Sequence, residues 1–245
     1  MIDIHSHILP GVDDGAKSWD IALEMCGLAH QDGIEHMVAT SHANDSYTFD
    51  RESLTVRLNQ LRSRVGDIMT FSLGCDFHLS YKNVADALAR PQYYTIAEGQ
   101  YLLVEFSDYG IPPQIGDSLF HLRAIGITPI ITHPERNPIL QRHREQVLRW
   151  VQQGCLVQVT ASAVTGTWGE SARRSAHWLL ERLAVHVMAT DAHDHKHRRP
   201  ILSAARRLVT DRYGEDVAQA LVEDNPRAIV ANEQVPFLPE PMTRT

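Results

Sequence analysis

Short, almost unbroken apolar runs recur along the chain, with "YLLVEF" at 101–106 and "TPIIT" at 128–132 the clearest. They restrict the fold more than any other feature, because a strand that is apolar on both faces needs cover on both faces. Parallel strands lying beneath helices meet that need. Strands are predicted at 2–8, 36–41, 70–75, 101–106, 128–132, 156–160 and 186–190.

Helical patterns fill the intervals. "SWDIALEMCGLAHQDG" offers Ser18 as N-cap, Asp20 in the first turn and Gly33 as the stop, with Ile21, Met25, Leu28 and Ala29 spaced along one face. "DRESLTVRLNQLRSRVGD" repeats the design with Leu54, Leu58 and Leu61, and further helices are predicted near 84–89, 117–124, 142–152, 170–183 and 201–213, with shorter ones beyond. Seven strand–helix units in series predict an α/β fold in the form of a closed or nearly closed parallel barrel, with an open doubly wound sheet as the alternative. No linker or repeat interrupts the series, so residues 1–232 read as one domain, followed by a Pro-containing tail at 233–245 that is expected to fray.

A formal net charge of −7 leaves no basic surplus for neutralising phosphates, so no nucleic-acid partner is expected. Cys26, Cys75 and Cys155 form no Cys-x-x-Cys pair and are too few for a disulfide framework, which predicts a reducing compartment. No charged-then-apolar leader precedes Ile2, and no apolar run approaches the roughly 18 residues of a membrane span. A cytoplasmic location without membrane insertion is expected.

In parallel barrels the C-terminal ends of the strands deliver the functional side chains. Here the strands end in His5 and His7, His42, Asp76, Glu105, His133, and Asp191 with His193, and Asp14 follows in the first loop. The sixth strand ends near Gln158 and Thr160 instead. A single histidine at a strand end is more often a hydrogen-bonded structural residue than a ligand. Several acids and imidazoles meeting at one barrel mouth are another matter, because burying them unpaired is costly without cations.

Three or four ligands complete a transition-metal site, so nine candidates suit two or three ions. Imidazole and carboxylate without thiolate fit manganese, iron or zinc, with Asp76 or Glu105 available to bridge. His30, His36, His121, His143, His177 and His186 lie in helix patterns or at strand starts and are read as packing or solvated groups. His78, His195 and His197 lie closer and are read first as exposed loop residues. Arg136 in "HPERNP" and Arg198 in "DAHDHKHRRP" follow the candidate ligands directly, and guanidinium forks match phosphate oxygens; the alternative is that they are surface charges or salt-bridge partners of nearby acids.

The blocks "DIHSHILPGVDDG", "TSH", "VEFS", "ITHPERN" and "TDAHDHKHRRP", in this order, resemble the polymerase-and-histidinol-phosphatase (PHP) superfamily. The closer resemblance is to its bacterial tyrosine-phosphatase branch, the capsule and exopolysaccharide regulators of the CpsB/YwqE type, and it extends from Ile2 to "DNPRAIV" at 224–230. The resemblance implies a distorted (β/α)7 barrel holding three divalent metals, commonly manganese. The implied ligands are His5, His7, Asp14, His42, Asp76, Glu105, His133, Asp191 and His193, and Arg136 and Arg198 match arginines that bind the substrate phosphate. The branch usually has glutamate where this chain has Asp76, one methylene shorter.

The expected activity is hydrolysis of phosphotyrosine on the tail of a bacterial tyrosine kinase by metal-activated water. No Cys-x5-Arg loop is present to support a thiolate mechanism. The alternatives are a small-molecule phosphatase of the histidinol-phosphate type and a noncatalytic metal-dependent phosphopeptide-binding module.

Overall fold

A computed structural model describes residues 1–112 and 114–242. Its centre is one sheet of seven parallel strands in sequential order: β1 (Ile2–Ser6), β2 (His36–Ala43), β3 (Thr70–His78), β4 (Tyr101–Glu105), β5 (Thr128–Thr132), β6 (Leu156–Thr160) and β7 (Val187–Ala189). The ends of the sheet meet through a parallel bridge between Ser6 and Ala192, with Asp191 N–H donating to His5 O and His7 N–H to Ala192 O, each at 2.8 Å. The result is the nearly closed barrel, and the open doubly wound alternative is set aside.

Strand alternation explains how the barrel fills. One buried cluster joins Ile2 and Ile4, Val38, Leu103, Ile130, Leu156, Val187 and Ala189 across the strands, and it is closed from below by Ile96, Ala228, Ile229 and Val235. These are the lumen residues. A larger cluster, including Met37, Ala39, Leu102, Val104, Ile131 and Val157, packs the outer faces against the helices. Gly74 belongs to the lumen, because a Cβ there would lie 3.0 Å from Ile96 Cγ1 and 3.1 Å from Val38 Cγ1.

The first helix runs Trp19–Gln31, with Ser18 Oγ accepting from Ile21 N–H as its cap. Its buried residues are Ala22, Met25, Cys26 and Ala29, so the helix is rotated from the face expected through Ile21 and Leu28, which are only half-buried. Small residues win the contact because they let the helix approach the sheet closely. The second helix, Arg51–Val65, buries Leu54, Leu58 and Leu61 as expected.

The tail departs from expectation through residue 242. Val235 is buried in the lumen cluster, Phe237 N–H donates to Asn225 Oδ1 at 2.9 Å, and Met242 N–H donates to Arg182 O at 2.9 Å. A side chain that closes the barrel floor holds its backbone in place. Residues 243–245 of the expected tail lie outside the described residues.

His186 sits at this floor, where its Nδ1 accepts from Val157 N–H at 3.1 Å. Burial pushes its pKa down to about 4 from an ordinary 6.5. The folded chain keeps this imidazole neutral, whereas the unfolded chain protonates it below pH 6.5. Stability from this group is therefore complete above pH 6.5 and declines as pH falls toward 4, by on the order of 3 kcal/mol. His186→Gln is expected to flatten the pH dependence of urea unfolding across that interval; an unchanged slope would contradict it.

Candidate metal centre

The alternation that fills the lumen also aims most of the candidate ligands. His42 follows Val38 and Thr40 on the inward face of β2, Asp76 follows Gly74 on β3, Glu105 follows Leu103 on β4, and Asp191 continues the phase of Val187 and Ala189. Three side chains, His5, His7 and His133, break that phase beside a backbone irregularity. His5 lies where the β1–β2 register shifts between Asp3 and Ser6, and His133 adopts φ +34°. Asp191 is also left-handed, with φ +52°. Non-glycine residues held in this region at strand ends are a common mark of functional sites.

The first loop is folded tightly against this mouth. Only glycine fits at position 15, since a Cβ there would come within 2.2 Å of His7 O and 2.4 Å of His7 Cβ. Ala16 N–H then donates to His7 O at 3.0 Å, which turns the chain so that both Asp13 and Asp14 face the cluster.

All nine sequence-predicted ligand positions come together. They form four overlapping groups: His7, Asp14, His42 and His193; His5, His7 and Asp76; His5, His133 and Asp191; and His42, Asp76 and Glu105, with the ligand-type atoms in each within 4.8 Å of one another. Asp76 occupies the middle. Its Oδ2 lies 3.2 Å from His42 Nδ1, 3.5 Å from His5 Nε2 and 3.9 Å from His7 Nε2. The histidines expected to be structural, from His30 to His186, are in none of the groups. His195 instead approaches Glu24 at 3.3 Å, and His78 approaches Glu105 at 3.8 Å.

The donor atoms themselves test whether cations fit. His5 Nε2, His7 Nε2, His42 Nδ1 and both carboxylate oxygens of Asp76 are buried without a hydrogen-bond partner among the described residues. So many unpartnered polar atoms in one place are costly, and divalent ions would satisfy them together. The electrostatics agree. Burial opposes charge on His7, yet Asp13 beside it holds its pKa up at about 9. Burial lowers the pKa of His42, but the carboxylates of Asp14 and Asp76 beside it outweigh that and raise it to about 11. His193 moves the other way, to about 4, through burial and the neighbouring His7. Burial of Asp76 is outweighed by His5 and His42, which hold its carboxyl well below the usual range. The mouth strongly attracts positive charge.

Other residues orient the rings, and sequence reasoning assigned none of them this role. His7 Nδ1–H donates to Asp13 Oδ2 at 2.9 Å, while Asp13 also accepts from Gly15 N–H at 3.0 Å and His42 N–H at 3.3 Å. His5 Nδ1–H donates to Gln158 Oε1 and His193 Nδ1–H to the Asp191 carbonyl, at 2.9 and 3.0 Å. Each contact leaves Nε2 free to face the cluster, the usual second-layer arrangement around ligating histidines. Two signals were available: a second acid beside Asp14, and a glutamine in the otherwise apolar "LVQV". Asp13→Ala is expected to weaken divalent-metal affinity roughly 10–100-fold, with Asp13→Asn intermediate because it keeps an acceptor. Titration of metal into the stripped variants checks this, and wild-type affinity in Asp13→Ala would contradict it.

Arg136 and Arg198 both donate to Asp191 Oδ2. Their guanidinium carbons lie 3.7 and 5.2 Å from the ring centroid of Trp168, which backs both. Asn137 secures the loop that carries Arg136. Its Oδ1 caps the helix Pro138–Arg142, and its Nδ2 donates to Phe106 O, Ser107 O and Asp108 Oδ1.

A small parallel barrel with histidines and carboxylates gathered at its C-terminal mouth defines a class of proteins built to hold metal ions there. Within that class the chain belongs to the capsular polysaccharide synthesis CpsB/CapC family, whose model matches residues 1–231. It is 30% identical over 244 residues to the tyrosine-protein phosphatase CpsB of Streptococcus pneumoniae, covering 96% of this chain and 100% of that one. To the tyrosine-protein phosphatase YwqE of Bacillus subtilis it is 30% identical over 239 residues, covering 96% and 93%. A solved structure from the work on YwqE and CpsB, described there as unique metal-dependent tyrosine phosphatases, matches over 100% of both chains with TM-score 0.91 and 27% identity. A lactonase from Listeria monocytogenes, at TM-score 0.54 and 13% identity over 99% of this chain and 95% of that one, shares the fold alone.

Proposed function

We propose that the chain is a metal-dependent phosphomonoesterase that removes phosphate from tyrosine in protein. The observation that carries this reading is the sharing of residues within the cluster. His5, His7, His42 and Asp76 each belong to two of the four groups, so ions held there would be neighbours. We assign His5, His7, Asp14, His42, Asp76, Glu105, His133, Asp191 and His193 as ligands of three divalent ions, manganese first, with iron or zinc compatible with the same donors. Such ions, when bound, supply water acidified toward neutral pH and positive charge facing the phosphoryl oxygens.

The chain's own residues do the rest. Asp13, Gln158 and the Asp191 carbonyl fix the imidazole tautomers. Arg136 and Arg198, backed by Trp168, present two guanidinium forks at the same mouth, suited to phosphate oxygens. Thiolate chemistry has no support: Cys26, Cys75 and Cys155 are all buried, and burial pushes the Cys26 and Cys155 thiols up to about 12.

The relatives are named tyrosine-protein phosphatases and the family is described by capsular polysaccharide synthesis. We therefore place the substrate on the phosphotyrosine-containing tail of a bacterial tyrosine kinase that controls capsule or exopolysaccharide export, in the cytoplasm. Among the described residues, no helix is long and apolar enough to cross a membrane. The test compares kcat/KM of the manganese-loaded protein on a phosphotyrosyl peptide, a phosphoseryl peptide and histidinol phosphate. Phosphotyrosine is expected to lead by at least about tenfold. A lead for histidinol phosphate would replace this reading with a small-molecule phosphatase, and tight peptide binding without turnover would replace it with a binding module.

A further inference from the structure

Beside the metal centre lies a cavity of about 560 Å³ that has Arg198 in common with it. Its floor is apolar, with Ile201, Ala204 and the half-exposed Trp168, whereas Lys196, His197 and Arg199 stand exposed around it. No carboxylate pairs with Lys196 or Arg199 among the described residues. In a chain whose net charge is −7, this is a local reversal of sign. The neighbouring Asp194 does not cancel it, because its carboxylate is engaged by backbone. Oδ1 accepts from Lys196 N–H at 2.5 Å and His197 N–H at 2.6 Å, and Oδ2 accepts from Arg198 N–H at 3.3 Å. Arg198 O closes the turn by accepting from His193 and Asp194 N–H at 2.9 and 3.2 Å. The loop is thus internally tied, with its cationic side chains left over for something else.

We infer that this cavity is a second anion subsite, receiving an anionic side chain that neighbours the phosphotyrosine in the same peptide. The inference rests on the phosphotyrosine reading of the adjoining centre. Trp168 links the two, since its ring backs Arg136 and Arg198 at the centre and also lines the cavity. An extended peptide rises about 3.4 Å per residue, so a residue near the reacting tyrosine reaches an adjoining pocket. The shared chemistry is a carboxylate or phosphoryl group; the apolar floor suits the aromatic body of a second phosphotyrosine better than a short acidic side chain.

The test uses metal-loaded protein and phosphotyrosyl peptides that differ only within three residues of the phosphotyrosine, carrying alanine, glutamate or a second phosphotyrosine. Wild type is expected to show a KM lower by roughly tenfold for the best anionic peptide than for the alanine peptide, with the difference shrinking as salt is raised. The Lys196→Ala/Arg199→Ala double variant is expected to lose the preference while keeping wild-type kcat and KM on the alanine peptide. Equal KM for all three peptides in wild type, or a preference that survives in the variant, would overturn the subsite. Absence of turnover on every peptide would instead count against the phosphatase reading, and peptide affinities by fluorescence anisotropy then carry the same prediction for the subsite. Preference for glutamate over phosphotyrosine would assign the subsite to acidic residues.

Discussion

Removal of divalent ions by a chelator is expected to lower kcat/KM on a phosphotyrosyl peptide by at least about a thousandfold, with recovery on adding manganese. A thousandfold corresponds to roughly 4 kcal/mol of transition-state stabilisation, within what ions contribute by polarising phosphoryl oxygens and acidifying water. The thiols offer no substitute nucleophile, because Cys26, Cys75 and Cys155 are all buried. The fold should survive the treatment. The lumen and the outer core are apolar clusters that the ligand residues do not build, so far-UV circular dichroism is expected to stay unchanged. Full activity in protein shown to be free of metal would refute the mechanism.

The second large effect is expected from Asp191→Asn. Asp191 Oδ1 lies 3.4 Å from His5 Nε2 and from His7 Nε2, while Oδ2 receives both arginines. One carboxylate therefore joins the proposed ligand set to the proposed phosphate-binding pair. Its conformation, φ +52°, is one that asparagine tolerates well, so the substitution removes charge while sparing the backbone. Loss of that charge leaves two buried imidazoles with only Asp76 as a shared acid and releases Arg136 and Arg198. Metal content should fall, and kcat/KM should drop by roughly 10²–10⁴-fold. Elemental analysis beside peptide kinetics measures both; full metal content with undiminished kcat/KM would contradict the role given to Asp191.

Much of the site was legible because the chemistry lies at strand ends. An imidazole or carboxylate that closes an apolar run has few structural reasons to be there, and the eight such positions meet at one mouth together with Asp14 of the first loop. The seven strands were legible for a related reason, since several are almost unbroken apolar runs and helical patterns separate them all. Their ends were less so: β2 and β3 pair continuously from His36–Thr70 to Ala43–Phe77, beyond the apolar residues, because pairing with a neighbour sets strand length. β1 stops at Ser6, where the register shift and the loop packed at Gly15 take over.

The orienting contacts were hidden for a different reason. Asp13 and Gln158 act through hydrogen bonds across the barrel, and nothing local distinguishes them from any buried polar residue. Trp168 gains its role only when the loops after the fifth and seventh strands bring Arg136 and Arg198 against it. The short helix Ala161–Thr165 went unpredicted because five residues carry too little periodicity to read.

Asp76 stands where the resemblance leads one to expect glutamate. Although a methylene shorter than glutamate, it lies among three imidazoles with both oxygens unpartnered, placed for a bridging role. The most direct measurement is anomalous diffraction from crystals grown with manganese and phosphate. Peaks enclosed by the nine ligand positions, with phosphate beside Arg136 and Arg198, are the predicted result. A mouth without anomalous signal at full manganese occupancy of the solution, or ions bound only elsewhere on the chain, would contradict it.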